Sequence, residues 1–153
     1  MIVRDAVMGD AAEISIFLEE LASLGKRNLP SDADYVRTHY IGHADKIQCA
    51  VAEDEDGTLL GLQILKMASE GNAYGVDVGW GIIGTHVRPS AVRRGVGKAL
   101  FAATRKAAVD AGLSRIDATI GATNLEGVSY YDAIGFETYK TLDTRICKCF
   151  TVT

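Results

Sequence analysis

Within six residues the chain sets down Arg93, Arg94, Gly95, Gly97 and Lys98, a combination suited to holding an anion. Val96, Leu100, Ala103 and Ala107 follow at helical spacing, so these groups fall at the start of a helix. Such a start leaves its first backbone N–H groups without partners and carries a partial positive charge. Glycine lets a ligand approach those donors closely, and Arg93, Arg94 and Lys98 add full charge. Upstream, Ile82, Ile83, Thr85 and Val87 suit a buried strand that stops at Pro89, which has no N–H to give a ladder. A strand feeding a cationic, glycine-bearing helix start predicts a phosphate or pyrophosphate site. A second group of polar side chains lies at Asn124, Tyr130 and Tyr131. Adjacent helix positions point about 100° apart, so one tyrosine can pack inward while the other turns its hydroxyl to a ligand.

The common nucleotide motifs do not fit. No G-x-x-x-x-G-K-[ST] occurs, and Leu100 stands where G-x-G-x-x-G needs its third glycine. The stretch instead resembles the acyl-CoA-binding motif of the GNAT superfamily of N-acetyltransferases, [Q/R]-x-x-G-x-[G/A] after a strand ending in a hydrophobic-x-Pro step. Val87-Arg88-Pro89 and Arg93-Arg94-Gly95-Val96-Gly97-Lys98 line up with it, with Val92 at the family's leading Gln or Arg. The resemblance implies that the amides of Arg93, Arg94, Gly95, Val96, Gly97 and Lys98 hold the CoA pyrophosphate. It also implies that the backbone of Thr85, His86 and Val87 pairs with the pantetheine arm. The segment Asn124 to Phe136 is similar to a second family pattern, N-x-x-[small]-x-x-[aromatic]-Y-x-x-x-G-F. By that pattern Asn124 bonds the pantetheine or the region near the phosphates, Tyr130 turns inward and Tyr131 turns towards the CoA sulfur. Thr123-Asn124-Leu125-Glu126 also has the form of a capping box with Thr123 as cap.

The fold implied is α/β (α+β), a twisted, mixed, mostly antiparallel sheet of about seven strands flanked by about four helices. Its fourth and fifth strands splay apart to admit the thioester. The chemistry implied is transfer of the acetyl group of acetyl-CoA, as cosubstrate and without a metal, to a primary amine. The amine must be neutral to attack, a backbone N–H at or near Val87 can steady the oxyanion, and Tyr131 protonates the departing thiolate. Some relatives carry a Glu base early on the fourth strand, where Gly81 stands here; Asp77, His86 and ordered water remain as alternatives. A small-molecule acceptor is favoured by the lack of any recruiting domain or acidic tail. A protein N-terminus or lysine, or acyl-CoA binding without catalysis, are the other readings. The family's habit of pairing leaves a homodimer open.

The elements that must position these groups read plainly along the chain. Strands are expected over Ile2–Val7, Gln48–Ala52, Leu59–Lys66, Val76–Val87, Arg115–Ile120, Glu137–Lys140 and Thr144–Thr151, with a hairpin turn at Asp54–Gly57. Asp10 should cap a helix carrying Ile14, Phe17, Leu18, Leu21 and Leu24 and ending at Gly25. Asp32 to about Tyr40 and Val96 to Ala111 give two more helices, and a fourth starts near Asn124. Arg27, Tyr35, His39 and His43 are the polar residues available near the acceptor. The 153 residues suit one domain, 1–153. A net charge of −4 argues against a nucleic-acid partner. No signal peptide or membrane-length apolar run is read, and three cysteines without a C-x-x-C suit packing in a reduced cytoplasmic chain.

Overall fold

The computed structural model describes residues 1–152. In chain order the elements are β1 (Ile2–Asp5), α1 (Ala11–Ser23), α2 (Ala33–Val36), β2 (Lys46–Glu53), β3 (Leu59–Met67), β4 (Gly81–Val87), α3 (Val96–Asp110), β5 (Arg115–Gly121), α4 (Leu125–Ala133), β6 (Glu137–Thr141) and β7 (Arg145–Thr151). A π-helical turn over Arg37–Ile41 extends α2. Seven strands form one mixed sheet in the order β1-β2-β3-β4-β5-β7-β6, flanked by four helices. Every neighbouring pair is antiparallel except β4 and β5, which α3 joins as a crossover. The α/β (α+β) architecture with splayed fourth and fifth strands is therefore as expected.

Two apolar layers hold the sheet. Ile14, Phe17 and Leu18 of α1 are fully buried with Val51, Leu62 and Ile64, each such side chain contributing about 1.5–3 kcal/mol. Leu24, expected on the same stripe, is exposed because α1 ends at Ser23. The chain then turns through Gly25 at φ +73°, with Lys26 N–H donating to the Leu21 carbonyl (2.9 Å). Asp10 does not cap α1 with its side chain. Its carboxylate accepts from Val7 N–H at 2.8 Å and from both Arg4 Nη atoms at 2.9 Å. On the opposite face Phe101 and Ala108 of α3 pack with Leu65, Ile83 and Ile116.

The strand that matters most begins later than its sequence suggests. Residues 76–80 form a turn in which Trp80 N–H donates to the Asp77 carbonyl (3.2 Å), and β4 starts at Gly81. From there β4 pairs with β3 along its whole length, from Met67 opposite Gly81 to Gly61 opposite Val87. With β5 it pairs only at Gly81–Ile116 and Ile82–Asp117. Beyond those two rungs the strands part, and the far edge of Ile83–Val87 lacks a sheet neighbour.

Candidate active site

The parting of β4 from β5 makes a wedge, and the sequence fixes what lines it. Ile83, Thr85 and Val87 face α3, whereas Ile82, Gly84 and His86 face the side of α1 and α2. At the C-terminal end of β4 the chain passes Pro89 and reaches the cationic turn. Arg93 has φ +64° and Gly95 φ +77°, so two left-handed residues flank Arg94 and bend successive amides into a concavity suited to an anion. Gly95 is the N-cap of α3 without any side-chain cap, so the first amides of α3 keep their donors for a ligand. Open space surrounds the Gly95 Cα. Arg93, Arg94 and Lys98 are exposed around it, and Arg94 leans on Asp54 of the β2–β3 hairpin (3.0 Å). Val96 is buried against Leu100, so only its backbone is available.

Gly97 has another duty than the one its motif suggests. A Cβ there would stand 2.5 Å from Tyr130 Cε1; the missing side chain makes room for a tyrosine rather than a ligand. Tyr130 Oη donates to the Gly97 carbonyl (2.7 Å) and accepts from Gln63 Nε2 (2.9 Å). Gly97→Ala should gain about 1 kcal/mol of helix propensity and lose about 2–3 kcal/mol to overpacking. A net destabilisation of about 1–2 kcal/mol in urea unfolding is expected, and a more stable variant would refute this packing.

Gln63 is the hub that the sequence did not announce. Fully buried on β3, it accepts from Thr104 Oγ1 of α3 at 2.5 Å. It donates to Thr85 Oγ1 at 2.9 Å as well as to Tyr130. Thr85 Oγ1 in turn lies 2.8 Å from Tyr131 Oη. The donor count sets a direction. With Gln63 donating to it, Thr85 is free to give its own hydrogen to Tyr131, and the Tyr131 hydrogen is left for a ligand. Both tyrosines turn inward: Tyr130 is half-buried against Gly97 and Gln63, and Tyr131 is 6 % exposed. Burial pushes the Tyr131 phenol well above its ordinary range, with the Thr85 hydrogen bond opposing. Burial likewise pushes Tyr130 up to about 12, against its bonds to Gln63 and Thr85.

Asn124, not Thr123, is the N-cap of α4: its Oδ1 accepts from Gly127 N–H (3.0 Å). Glu126 does not answer Thr123 but meets Lys26 of the α1–α2 connection (3.0 Å). Asn124 is exposed, and its amide nitrogen is not engaged by the cap.

The base alternatives separate on geometry. Asp77 sits in the exposed turn before β4, off the strand. The His86 ring lies 5.5 Å from that of Tyr40. Enclosure of its ring, with Arg27 nearby, pushes its pKa down to about 3, too weak a base to draw a proton from an ammonium group. An acid at position 81 would have to displace the ends of Leu65 and Leu113, each 2.9 Å from the place of its Cβ. On the α1 side, the Arg27 guanidinium lies 5.8 Å from the Tyr35 ring and 5.7 Å from the Tyr40 ring, with Nη1 buried and unpartnered. His39 stacks on Tyr35 (3.8 Å), and His43 Nδ1 accepts from Asp45 N–H (3.0 Å). Cys49 and Cys147 are buried, Cys149 is half-buried, and all three are free thiols.

Comparison with known proteins finds the same fold. A family model described as the acetyltransferase (GNAT) family matches residues 15–136. No curated protein matches the sequence. Among solved structures, a GCN5-related N-acetyltransferase from Kribbella flavida is 22 % identical, with 98 % of this chain and 96 % of that one covered and a TM-score of 0.80. yncA from Salmonella typhimurium, solved with its cofactor acetyl-CoA, is 16 % identical over 99 % of this chain and 94 % of its own, with a TM-score of 0.73. The GNAT domain of S. lividans PAT is 17 % identical over 97 % and 89 %, with a TM-score of 0.78. Among the described residues, no helix is long and apolar enough to cross a membrane.

Proposed function

The chain belongs to the GNAT acetyltransferase family, and from that premise we propose that it is an acyl-CoA-dependent N-acetyltransferase acting on a primary amine of a small molecule. We take residues 1–153 as a single catalytic domain working in the reducing cytoplasm. The observation that carries this reading is the Tyr131 hydroxyl, 2.8 Å from Thr85 on the strand whose far edge is unpaired.

The residues present suit acetyl-CoA. Two left-handed residues, the uncapped start of α3 and three exposed cations offer a cradle for its pyrophosphate. The open edge of β4 at Thr85, His86 and Val87 offers backbone groups to its amide-bearing arm, and the free amide nitrogen of Asn124 is a further donor. When bound, acetyl-CoA supplies a thioester carbonyl that an amine can attack directly. A backbone N–H on the open edge of β4 then steadies the oxygen as charge develops. Tyr131 keeps its proton at every working pH, because burial raises its pKa, and gives it to the leaving sulfur through direct contact. Such a hand-over is uphill against a thiol pKa near 8.5 and is productive only locally, as bond cleavage proceeds.

Release of free CoA thiol across a panel of small amines, amino acids and N-terminal peptides tests the reading, with acetyl-CoA affinity measured by calorimetry. Turnover with one class of small amine is the expected result. Turnover with peptides alone would move the acceptor to proteins. Binding without turnover on any amine would leave only an acyl-CoA-binding module, and no binding would remove the cradle at Arg93–Lys98.

A further inference from the structure

Among the described residues two side-chain atoms are buried without a hydrogen-bond partner, Gln48 Oε1 and Arg27 Nη1. The second belongs to a charged group, where an unmade bond is the more unfavourable. Arg27 lies in the connection between α1 and α2. Its Nε donates to Ser31 Oγ (2.9 Å) and its Nη2 to the Pro30 carbonyl (2.6 Å). Those bonds fix the guanidinium and leave Nη1 with both hydrogens to give. The residue as a whole is half-buried, so the side chain keeps an approach from solvent.

The surroundings of Arg27 lead to the wedge. Its Cζ lies 5.8 Å from the Tyr35 ring and 5.7 Å from the Tyr40 ring. The Tyr40 ring is in turn 5.5 Å from that of His86, on the part of β4 that β5 leaves unpaired. More positive charge gathers on the same face. Lys66 of β3 stands opposite Ile82 and shares its side of the sheet. Half-buried, it lines a cavity of about 170 Å³ together with Ile82 and Tyr74. Its Nζ is 5.9 Å from the Tyr74 ring, and Arg145 Cζ of β7 is 5.8 Å from the same ring. Because β3 and β7 flank the parted β4 and β5, Tyr74 sits across the wedge.

Among the described residues none of Arg27, Lys66 and Arg145 forms an ion pair, nor does Asp45, the carboxylate of the cavity wall. A chain of net charge −4 thus sets three unpaired cations around one recess. Such a recess repels a second ammonium and attracts an anion. Resting on the acetyltransferase reading above, we propose that the acceptor is an amine that also bears a carboxylate, of the amino-acid class, and that Arg27 anchors this carboxylate.

A guanidinium suits that partner, because its planar fork matches a carboxylate. Tyr35 and Tyr40 border the guanidinium, and its charge opposes the upward push of burial on both phenols. Lys66 and Arg145 lie farther along the recess and draw the anion in without holding it. The amine end then extends past His86 to the open edge of β4. Tyr74 is 36 % exposed and His86 half-buried, so this face admits a small molecule beside the buried Tyr40.

Thiol release compares amino acids with the amines left when the carboxylate is removed: L-phenylalanine with phenethylamine, 4-aminobutyrate with n-propylamine, glycine with methylamine. At least one acid should exceed its plain amine in kcat/KM by about 10–100-fold. Arg27→Met should cut that preference at least about tenfold, chiefly by raising KM for the acid. Lys66→Met should cut it about two- to fivefold, and less at high salt than at low. Plain amines that match their acids in every pair overturn the proposal. So does an Arg27→Met loss shared equally by both members of a pair, which marks a structural role alone. If the wild type acetylates nothing, the acetyltransferase reading fails by itself, and calorimetry with N-acetyl-L-phenylalanine and N-acetylphenethylamine decides the anchor. Binding that needs the carboxylate and weakens at least about tenfold in Arg27→Met upholds it; equal binding of the two, or of neither, overturns it. Should Arg27→Met not fold, an unchanged preference in Lys66→Met overturns the proposal.

Discussion

Tyr131→Phe should lower kcat at least tenfold, and up to about 10³-fold, while leaving acetyl-CoA affinity within about twofold. The ring itself is secure. It packs edge-on to Phe136 at 5.1 Å and against Tyr130 at 4.9 Å, and phenylalanine keeps both contacts. What disappears is one hydroxyl whose hydrogen the Thr104–Gln63–Thr85 chain leaves free. Because burial raises the Tyr131 pKa, the wild-type profile should show no alkaline limb from this group up to pH ~10. Thiol release measured from pH 6 to 10 in both proteins checks this. A variant with kcat within twofold of wild type would exclude Tyr131 as the acid. A wild-type alkaline limb that vanishes in the variant would mean that Tyr131 ionises where burial should forbid it.

Gln63→Leu is the substitution with the largest expected effect on stability, about 3 kcal/mol. Leucine nearly matches the volume but satisfies nothing. Thr104 Oγ1 loses the acceptor it holds at 2.5 Å, and Thr85 and Tyr130 each lose a donor at 2.9 Å. An orphaned buried polar group costs about 1–3 kcal/mol, whereas removing both partners of a bond can be nearly neutral. Adding Thr104→Val to Gln63→Leu should therefore recover about 1 kcal/mol of the loss. Urea unfolding gives both numbers from the midpoints, provided the m-value holds. A loss under about 1 kcal/mol for Gln63→Leu would mean that the hub is satisfied some other way.

The contrast between Tyr131 and Gln63 shows what the sequence reveals and what it hides. The cationic turn, the helix after it and the Asn124–Phe136 segment are contiguous, so local spacing exposes them. The hub is assembled from β3, β4, α3 and α4, and no local pattern ties Gln63 to Thr104. Gly97 looked like a ligand's glycine because its motif says so; only the packing shows that Tyr130 occupies the space. Asp117 alternates with Ile116 and Ala118 and reads as an outward polar residue. The tyrosine that buries it comes from a bulge more than twenty residues later. Thr123 and Asn124 can each cap a helix, and which one does so depends on where the chain leaves β5. The late start of β4 has a similar cause, since glycines at 79 and 81 permit either a bulged strand or a turn, and Gly79 takes φ +91°.

The two-rung join between β4 and β5 has a mechanical consequence. The sheet is two panels on a short hinge, one of β1–β4 and the other of β5, β7 and β6, with α3 chained to both. Gln63 and Thr85 ride on the first panel, Asp117 and Tyr139 on the second. The hydrogen bond between Thr85 and Tyr131 crosses from the first panel to α4, which follows β5 on the second. Widening the angle between the panels would strain that one bond before any strand pairing is lost.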